Sequence, residues 1–426
     1  MASPLGTSAL SVAADPESRS ALQREGAAVY AAFVIFGLGS WSSINAVFVE
    51  SSFLVSLQPE RWALTTWIVL ALQAANLVVL FAVRPLLRKM RLSWTAASAA
   101  SLILAIGSCF GLSLGGYRHV AVLFGAERSL GLLALTFLGG LANCGSSLVF
   151  YPLAATFPRR FTTALAVGEG LSGSVAGVLG LVQNHFQKAG ALAFSPTTYF
   201  GIEAGVSIAA ASALLFIDRH RFAEKLRESQ EQRSSFVPVV SEEASSGVAG
   251  APAGQSLMST FWSFRTPLLA LFLGAAFSFG VLPSVNPIAC LHYSDGQLVL
   301  LWSNVVIYGF DPISRLMTAF TNFRRLGGFI VVFLLAASVV LAAAKAKPSE
   351  ATPGLFGWPW VVPMANVVFA ASFGYARTMA FLILKDASGD SASAEYRYWA
   401  AGFAVQSGSF AGSVVSLLLV EVFKAL

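Results

Sequence analysis

The sequence predicts an all-α protein that crosses a membrane many times, and three observations predict it. The 426 residues are 56% hydrophobic and only 11% charged, whereas a soluble domain carries about 25% charged residues. The apolar runs reach bilayer-spanning length, roughly 20 residues, without the apolar–polar alternation of a membrane β-barrel. Lys and Arg gather in alternate loops, which is how a multi-pass helical protein records its orientation.

Eleven runs of spanning length define the expected helices. The first, 28–50, lies over an uncharged stretch from Gly26 to Val49, yet holds Trp41, Asn45 and three serines and stops on Glu50. Polar side chains at membrane depth face other helices or a cavity, so this segment points to a solute pathway. The second, 64–83, contains Asn76; the third, 93–115, is apolar with small residues; the fourth, 130–153, contains Asn143. The fifth, 162–184, carries Glu169 and a stripe of Gly170, Gly173, Ser174, Gly177 and Gly180, a pattern for close helix–helix contact. The sixth, 198–217, precedes a long loop. Beyond it, 266–288 holds Asn286, 296–319 holds Asp311 and Arg315, 326–345 is almost purely apolar, 359–383 holds Arg377 and 398–422 holds Gln406.

With the N-terminus in the cytosol, the inner loops hold Arg84, Arg88, Lys89 and Arg91, then Arg159 and Arg160, six basic residues in 218–265, then Arg324, Arg325, Lys385 and Arg397. The outer side holds only Arg61, Arg118, Arg128, Lys188, Lys345, Lys347 and Lys424. The positive-inside bias therefore favours a cytosolic N-terminus and an extracellular C-terminus, and it accounts for the net charge of +6 without nucleic acid as a partner. No signal peptide is expected before the first helix. The expected organisation is a cytosolic tail, 1–27; a six-helix half, 28–217; a cytosolic loop, 218–265, of disordered composition; and a five-helix half, 266–426. Such a six-plus-five, major-facilitator-like two-half bundle is the outline of a secondary transporter.

No enzyme is expected. The chain has no Gly-x-Ser-x-Gly, P-loop, His-Glu-x-x-His or paired-cysteine motif. Cys109, Cys144 and Cys290 lie in apolar runs, and the four histidines lack ligand spacing, so neither a metal nor a cofactor is indicated. The polar residues inside the spans carry the functional reading instead. Trp41 and Asn45, four apart, share a helix face that offers stacking and amide hydrogen bonds. Asn76 and Asn143 lie about 20 Å below the outer surface, and Gln406 about 12 Å above the inner one. With Asn286 they form a candidate site for an uncharged ligand rich in hydrogen-bonding groups. Glu50, roughly 140° round the helix from Asn45, is expected at the extracellular mouth. Asp311 and Arg315 can pair as i,i+4 neighbours and, with Arg377 and Glu169, fall in the cytosolic half as a candidate inner gate. Glu169 is the candidate proton-sensitive group, because low dielectric penalises its charged form.

Several blocks in register resemble the animal-type riboflavin transporters: Phe36-Gly-Leu-Gly-Ser-Trp-Ser-Ser-Ile-Asn45 with Val49-Glu50; Leu57-Gln-Pro-Glu-Arg-Trp62-Ala-Leu; Asn76-Leu; Phe150, Pro152 and Pro158-Arg-Arg-Phe161; Gly168-Glu-Gly-Leu-Ser172; Gly280-Val-Leu-Pro283 with Cys290-Leu-x-Tyr293; and Ala400-Ala-Gly-x-Ala-Val-Gln406-x-Gly-Ser409. The resemblance implies an eleven-helix plasma-membrane importer of riboflavin that needs no sodium. The chain departs from the family in carrying Glu169 and Asn286 where the family has Gln, and Asp311 before Pro312 where it has Asn. The Asp311-x-x-x-Arg315 pattern is similar to that of equilibrative nucleoside transporters, so a nucleoside carrier is the alternative substrate reading. A membrane sensor that binds solute without moving it is the alternative of another class.

Overall fold

The computed structural model describes residues 16–83, 89, 92–123, 125–155, 157–185, 192–220, 223, 261–318, 320–347, 354–387 and 391–422. Most of the expected cytosolic loop, 218–265, lies outside the described residues. The helices are α1 (Pro16–Leu38), α2 (Ser42–Leu54), α3 (Leu64–Val78), α4 (Trp94–Ser113), α5 (Leu130–Ala155), α6 (Arg159–His185), α7 (Pro196–Arg219), α8 (Arg265–Ala275), α9 (Leu282–Cys290), α10 (Gly296–Met317), α11 (Leu326–Ala346), α12 (Val361–Asp386) and α13 (Ser391–Leu417). A helix occupies each of the eleven expected runs. Among the described residues, eight helical segments are long and apolar enough to span a membrane, and the bent pair α1–α2 makes a ninth. The remaining two expected spans are α5, apolar over Leu130–Ser146, and α10, whose apolar character is diluted by Asn304, Asp311 and Arg315.

Two features were not expected. The loop between α4 and α5 folds into a small antiparallel hairpin, β1 (Ala121–Leu123) with β2 (Ala126–Arg128), turning at Gly125 with φ of 79°. The single first span is broken into α1 and α2, which meet at 50°.

Side-chain placement is that of a protein in lipid. Ile103, Phe110, Val178, Ile208 and Leu335 point outward, while Ser42, Ser43, Gln73, Asn143 and Ser207 are buried. In one group of helices, α1 packs on α6 and α7, α4 on α5 and α7, and α3 on α5; in the other, α12 packs on α10 and α11, and α8 on α13. The groups meet where α6 and α2 touch α10, and where α3 touches α9 and α13. The glycine stripe of α6 forms the first of these seams. A Cβ on Gly173 would collide with the Tyr308 ring, Gly177 faces Val305, and the Ser174 hydroxyl donates to the Tyr308 carbonyl at 3.1 Å. The α3–α13 seam is polar: Gln73 donates to Ser409, and Asn76 donates to Gln406 and, at 3.3 Å, to Gln73.

The break at Gly39–Trp41 positions the site. A helix interrupted in apolar surroundings exposes backbone groups that water cannot reach. With its amide assigned in the orientation that its neighbours satisfy, Asn143 of α5 serves both sides: its nitrogen donates to the Ser40 carbonyl at 2.8 Å and its oxygen accepts from the Ile44 N–H at 3.1 Å. The Ser40 hydroxyl adds a 2.7 Å bond to the Gly37 carbonyl. Gly37 and Gly168 bring α1 and α6 into backbone contact, because a Cβ on either would strike the other helix. Replacing Asn143 with Leu leaves two buried backbone groups unpaired, each at about 1–3 kcal/mol. The variant is expected to unfold several degrees below wild type in a tryptophan-fluorescence melt of the detergent-purified protein. An unchanged midpoint would show that Asn143 does not hold the break.

Candidate functional site

A cavity of about 120 Å³ lies between the two helix groups. Its first wall comes from the broken span: Trp41 in the break itself, then Ile44, Asn45 and Phe48 down one face of α2. Because Asn143 fixes the break, Trp41 is held with φ near −128° and its ring stacks on Phe279, centroids 6.1 Å apart and planes 23° from parallel. Phe279 owes its place to a π-helical segment, Ala276–Val281, between α8 and α9. Pro283 at the start of α9 and Pro287 inside it remove backbone donors, and a wider helical turn accommodates that loss. Ser278, Pro283 and Asn286 continue this wall.

The opposite wall is α10. Asn304, Tyr308, Asp311 and Arg315 recur at helical spacing and all reach the cavity. Asp311 and Arg315 form an ion pair of 2.6 Å, each side chain about a quarter exposed. Glu169 of α6 and Arg377 of α12 line the same end, and the Arg377 guanidinium sits 5.8 Å from the Phe279 ring centroid in cation–π geometry. The structure therefore assembles Glu169, Asp311, Arg315 and Arg377, residues spread over three helices, into one charged cluster at the cavity.

The expected ligand residues divide. Trp41, Asn45 and Asn286 line the cavity. Asn45 donates to the Ser172 hydroxyl at 3.1 Å, which in turn donates to the Glu169 carbonyl at 2.7 Å. Asn76, Asn143 and Gln406, expected at the ligand, are not in the cavity wall. Asn143 serves the helix break, and Asn76 and Gln406 bind each other across the α3–α13 seam. A polar residue's place in an apolar run does not say which way its side chain faces. Glu50 requires a correction. It does not sit at a solvated mouth: it is fully buried, with its Oε1 accepting from Gln183 Nε2 at 3.2 Å. The reason is that α2 runs on to Leu54 and packs on α6 and α7, which places position 50 one turn inside the bundle.

Sequence reasoning missed Asn304 and Tyr308, which lie seven and three residues before Asp311 and share its helix face. It also missed Phe279, whose signal was the Pro283–Pro287 pair. Asn304 ties α10 to α2, donating to the Phe48 carbonyl at 2.8 Å and the Ser52 hydroxyl at 3.2 Å. Aromatic faces, amides and charged side chains thus line one cavity.

The fold is similar to a mutant form of the nucleoside transporter NupG, with a TM-score of 0.55 at 12% identity over 94% of this chain and 92% of that one. It is also similar to a D-xylose-proton symporter, with a TM-score of 0.52 at 12% identity over 94% and 89%. Sequence relatives are more specific. The chain is 25% identical to the zebrafish (Danio rerio) solute carrier family 52, riboflavin transporter, member 3-A, over 93% of this chain and 96% of the relative. It is 26% identical to the human (Homo sapiens) member 2 over 89% and 91%, and 26% identical to riboflavin transporter rft-1 of Caenorhabditis elegans over 92% and 95%. The family model described as solute carrier family 52, riboflavin transporter, matches residues 26–191 and 184–426. With both helix groups and every wall of the cavity inside those matches, this membrane transporter belongs to the solute carrier family 52 riboflavin transporters.

Proposed function

We propose that this chain carries riboflavin across the plasma membrane by alternating access, without a cofactor, with its N-terminus in the cytosol and its C-terminus outside. The observation that carries the reading is the match to the riboflavin transporter family along almost the entire chain. The cavity supports it chemically. The isoalloxazine is flat and fits beside the Trp41–Phe279 stack, and its pyrimidine edge and ribityl hydroxyls suit Asn45 and Asn286. The halves 28–217 and 266–426 rock about the cavity, and Glu169 with the Asp311–Arg315 pair forms the gate at its charged end.

Uptake of radiolabelled riboflavin into cells lacking their own carrier tests the assignment. Uptake competed by lumiflavin but not by uridine or adenosine is the expected result; competition by nucleosides and not by flavins would overturn it. Binding to purified protein without uptake into proteoliposomes would instead support a sensor. Trp41→Ala is expected to weaken apparent affinity roughly fivefold to tenfold, the equivalent of about 1 kcal/mol of lost stacking, with Trp41→Phe close to wild type. Asn45→Ala is expected to reduce uptake while surface expression stays near normal. If it instead abolishes expression, the Asn45–Ser172 bond is structural.

A charge test addresses the gate. Asp311→Asn and Arg315→Gln each remove one partner of the ion pair, and both are expected to slow transport. The double variant should be less impaired than their combined effects predict, with a coupling of about 1 kcal/mol in a double-mutant cycle. Additive effects would show that the ion pair is not a functional unit.

A further inference from the structure

Asn366 of α12 is wholly buried, and its Nδ2 donates to Asn286 Oδ1 at 3.1 Å. That bond uses one function of each amide. The other two, Asn286 Nδ2 and Asn366 Oδ1, are buried without a hydrogen-bond partner. Two primary amides side by side ordinarily exchange two hydrogen bonds; these exchange one, and the remaining donor and acceptor stay dehydrated and unmatched.

Their position relates them to the cavity. Asn286 is in its wall, on the α9 face that follows Phe279 and Pro283 at helical spacing. Asn366 precedes the cavity-lining Phe369, Ala370, Phe373 and Arg377 by three, four, seven and eleven residues, so it shares their face of α12 and stands directly behind Asn286 rather than in the wall itself. Counting along α12, the pair lies roughly 16 Å from Arg377. Charged side chains thus line the cavity toward one end of this α12 face, and the neutral pair, of which Asn286 alone is in the wall, lies toward the other.

Resting on the riboflavin reading, we infer that Asn286 and Asn366 form a specificity subsite for the cis-imide edge of the ligand. Asn286 Nδ2 donates to a ring carbonyl, and the adjacent ring N–H donates to Asn366 Oδ1. The isoalloxazine carries this arrangement in its pyrimidinedione ring, at N3–H and its neighbouring carbonyls. A ligand without the N–H leaves Asn366 Oδ1 buried and unmatched, and discrimination of this kind, by a site built to pair a polar edge, is strong. An alkyl group on that nitrogen adds a clash with the carbonyl oxygen.

The test compares riboflavin with N3-methylriboflavin as competitors of radiolabelled riboflavin uptake, in wild type and in Asn366→Ala at matched surface expression. Wild type is expected to prefer riboflavin at least thirtyfold, and the variant to narrow that preference to about threefold. Equal competition by the two flavins in wild type overturns the subsite, as does an undiminished preference in the variant. If Asn366→Ala does not reach the surface, the wild-type preference decides, with Asn366→Asp, which keeps the acceptor, expected to retain it. Absence of riboflavin uptake by wild type is a separate result; it overturns the substrate reading and the flavin subsite together.

Discussion

Everything in this fold depends on one constraint: at membrane depth a polar group must find its partner within the protein, because water is not there to supply one. The first span breaks that rule at Gly39–Trp41 and is repaired by a single side chain from another helix, Asn143. The repair is what allows Trp41 to leave the helical path and face the cavity. Had the span been a straight run of Leu and Val, it would have anchored the chain and offered a ligand nothing. Here the cost of interrupting a helix is offset by one amide, and the interruption becomes a binding wall.

The same constraint explains why the two helix groups meet as they do. Their seams contain few charges: glycines of α6 under Tyr308 and Val305, Asn304 on the backbone of α2, and Gln73, Asn76, Gln406 and Ser409 between α3 and α13. Neutral hydrogen bonds in these places are each worth little net, about 1 kcal/mol, and glycine contacts add area without interlocking side chains. A transporter needs halves that associate but also separate, and a seam of this composition gives an interface that is satisfied without being tightly bound.

The apolar helical runs and their order were legible from hydropathy, though eight spans, or nine with the bent pair α1–α2, qualify among the described residues against the eleven expected; the close-contact role of the α6 glycines was legible from their spacing. The charged cluster was legible as a list, since Glu169, Asp311, Arg315 and Arg377 are the charges deepest in the runs. Its assembly was not, because it joins three helices far apart in sequence. Trp41, Asn45 and Asn286 were found because a polar residue in an apolar run stands out. Asn76, Asn143 and Gln406 stood out equally and turned toward other helices, since hydropathy reports depth and not direction. Glu50 was misplaced by assuming that a carboxylate ends a span, when its helix continues to Leu54. Asn366 passed unnoticed, and the single bond it makes to Asn286 is visible only once α9 and α12 are side by side.

The π-helical turn of Ala276–Val281 has a consequence for motion. The backbone contact with α13 starts in α8, with Gly408 against Phe272, and runs through the turn itself, with Gly412 against Ala276 and Gly280; beyond the turn α9 packs on α11 and on α3 of the opposite group. One membrane crossing is therefore clamped to different neighbours at its two ends. Wide helical turns are the places where a helix changes pitch most easily. On the alternating-access reading, Phe279, set in that turn, joins the end held by α13 to the end held by the opposite group, and a difference in movement between them would be felt at the ring that stacks on Trp41.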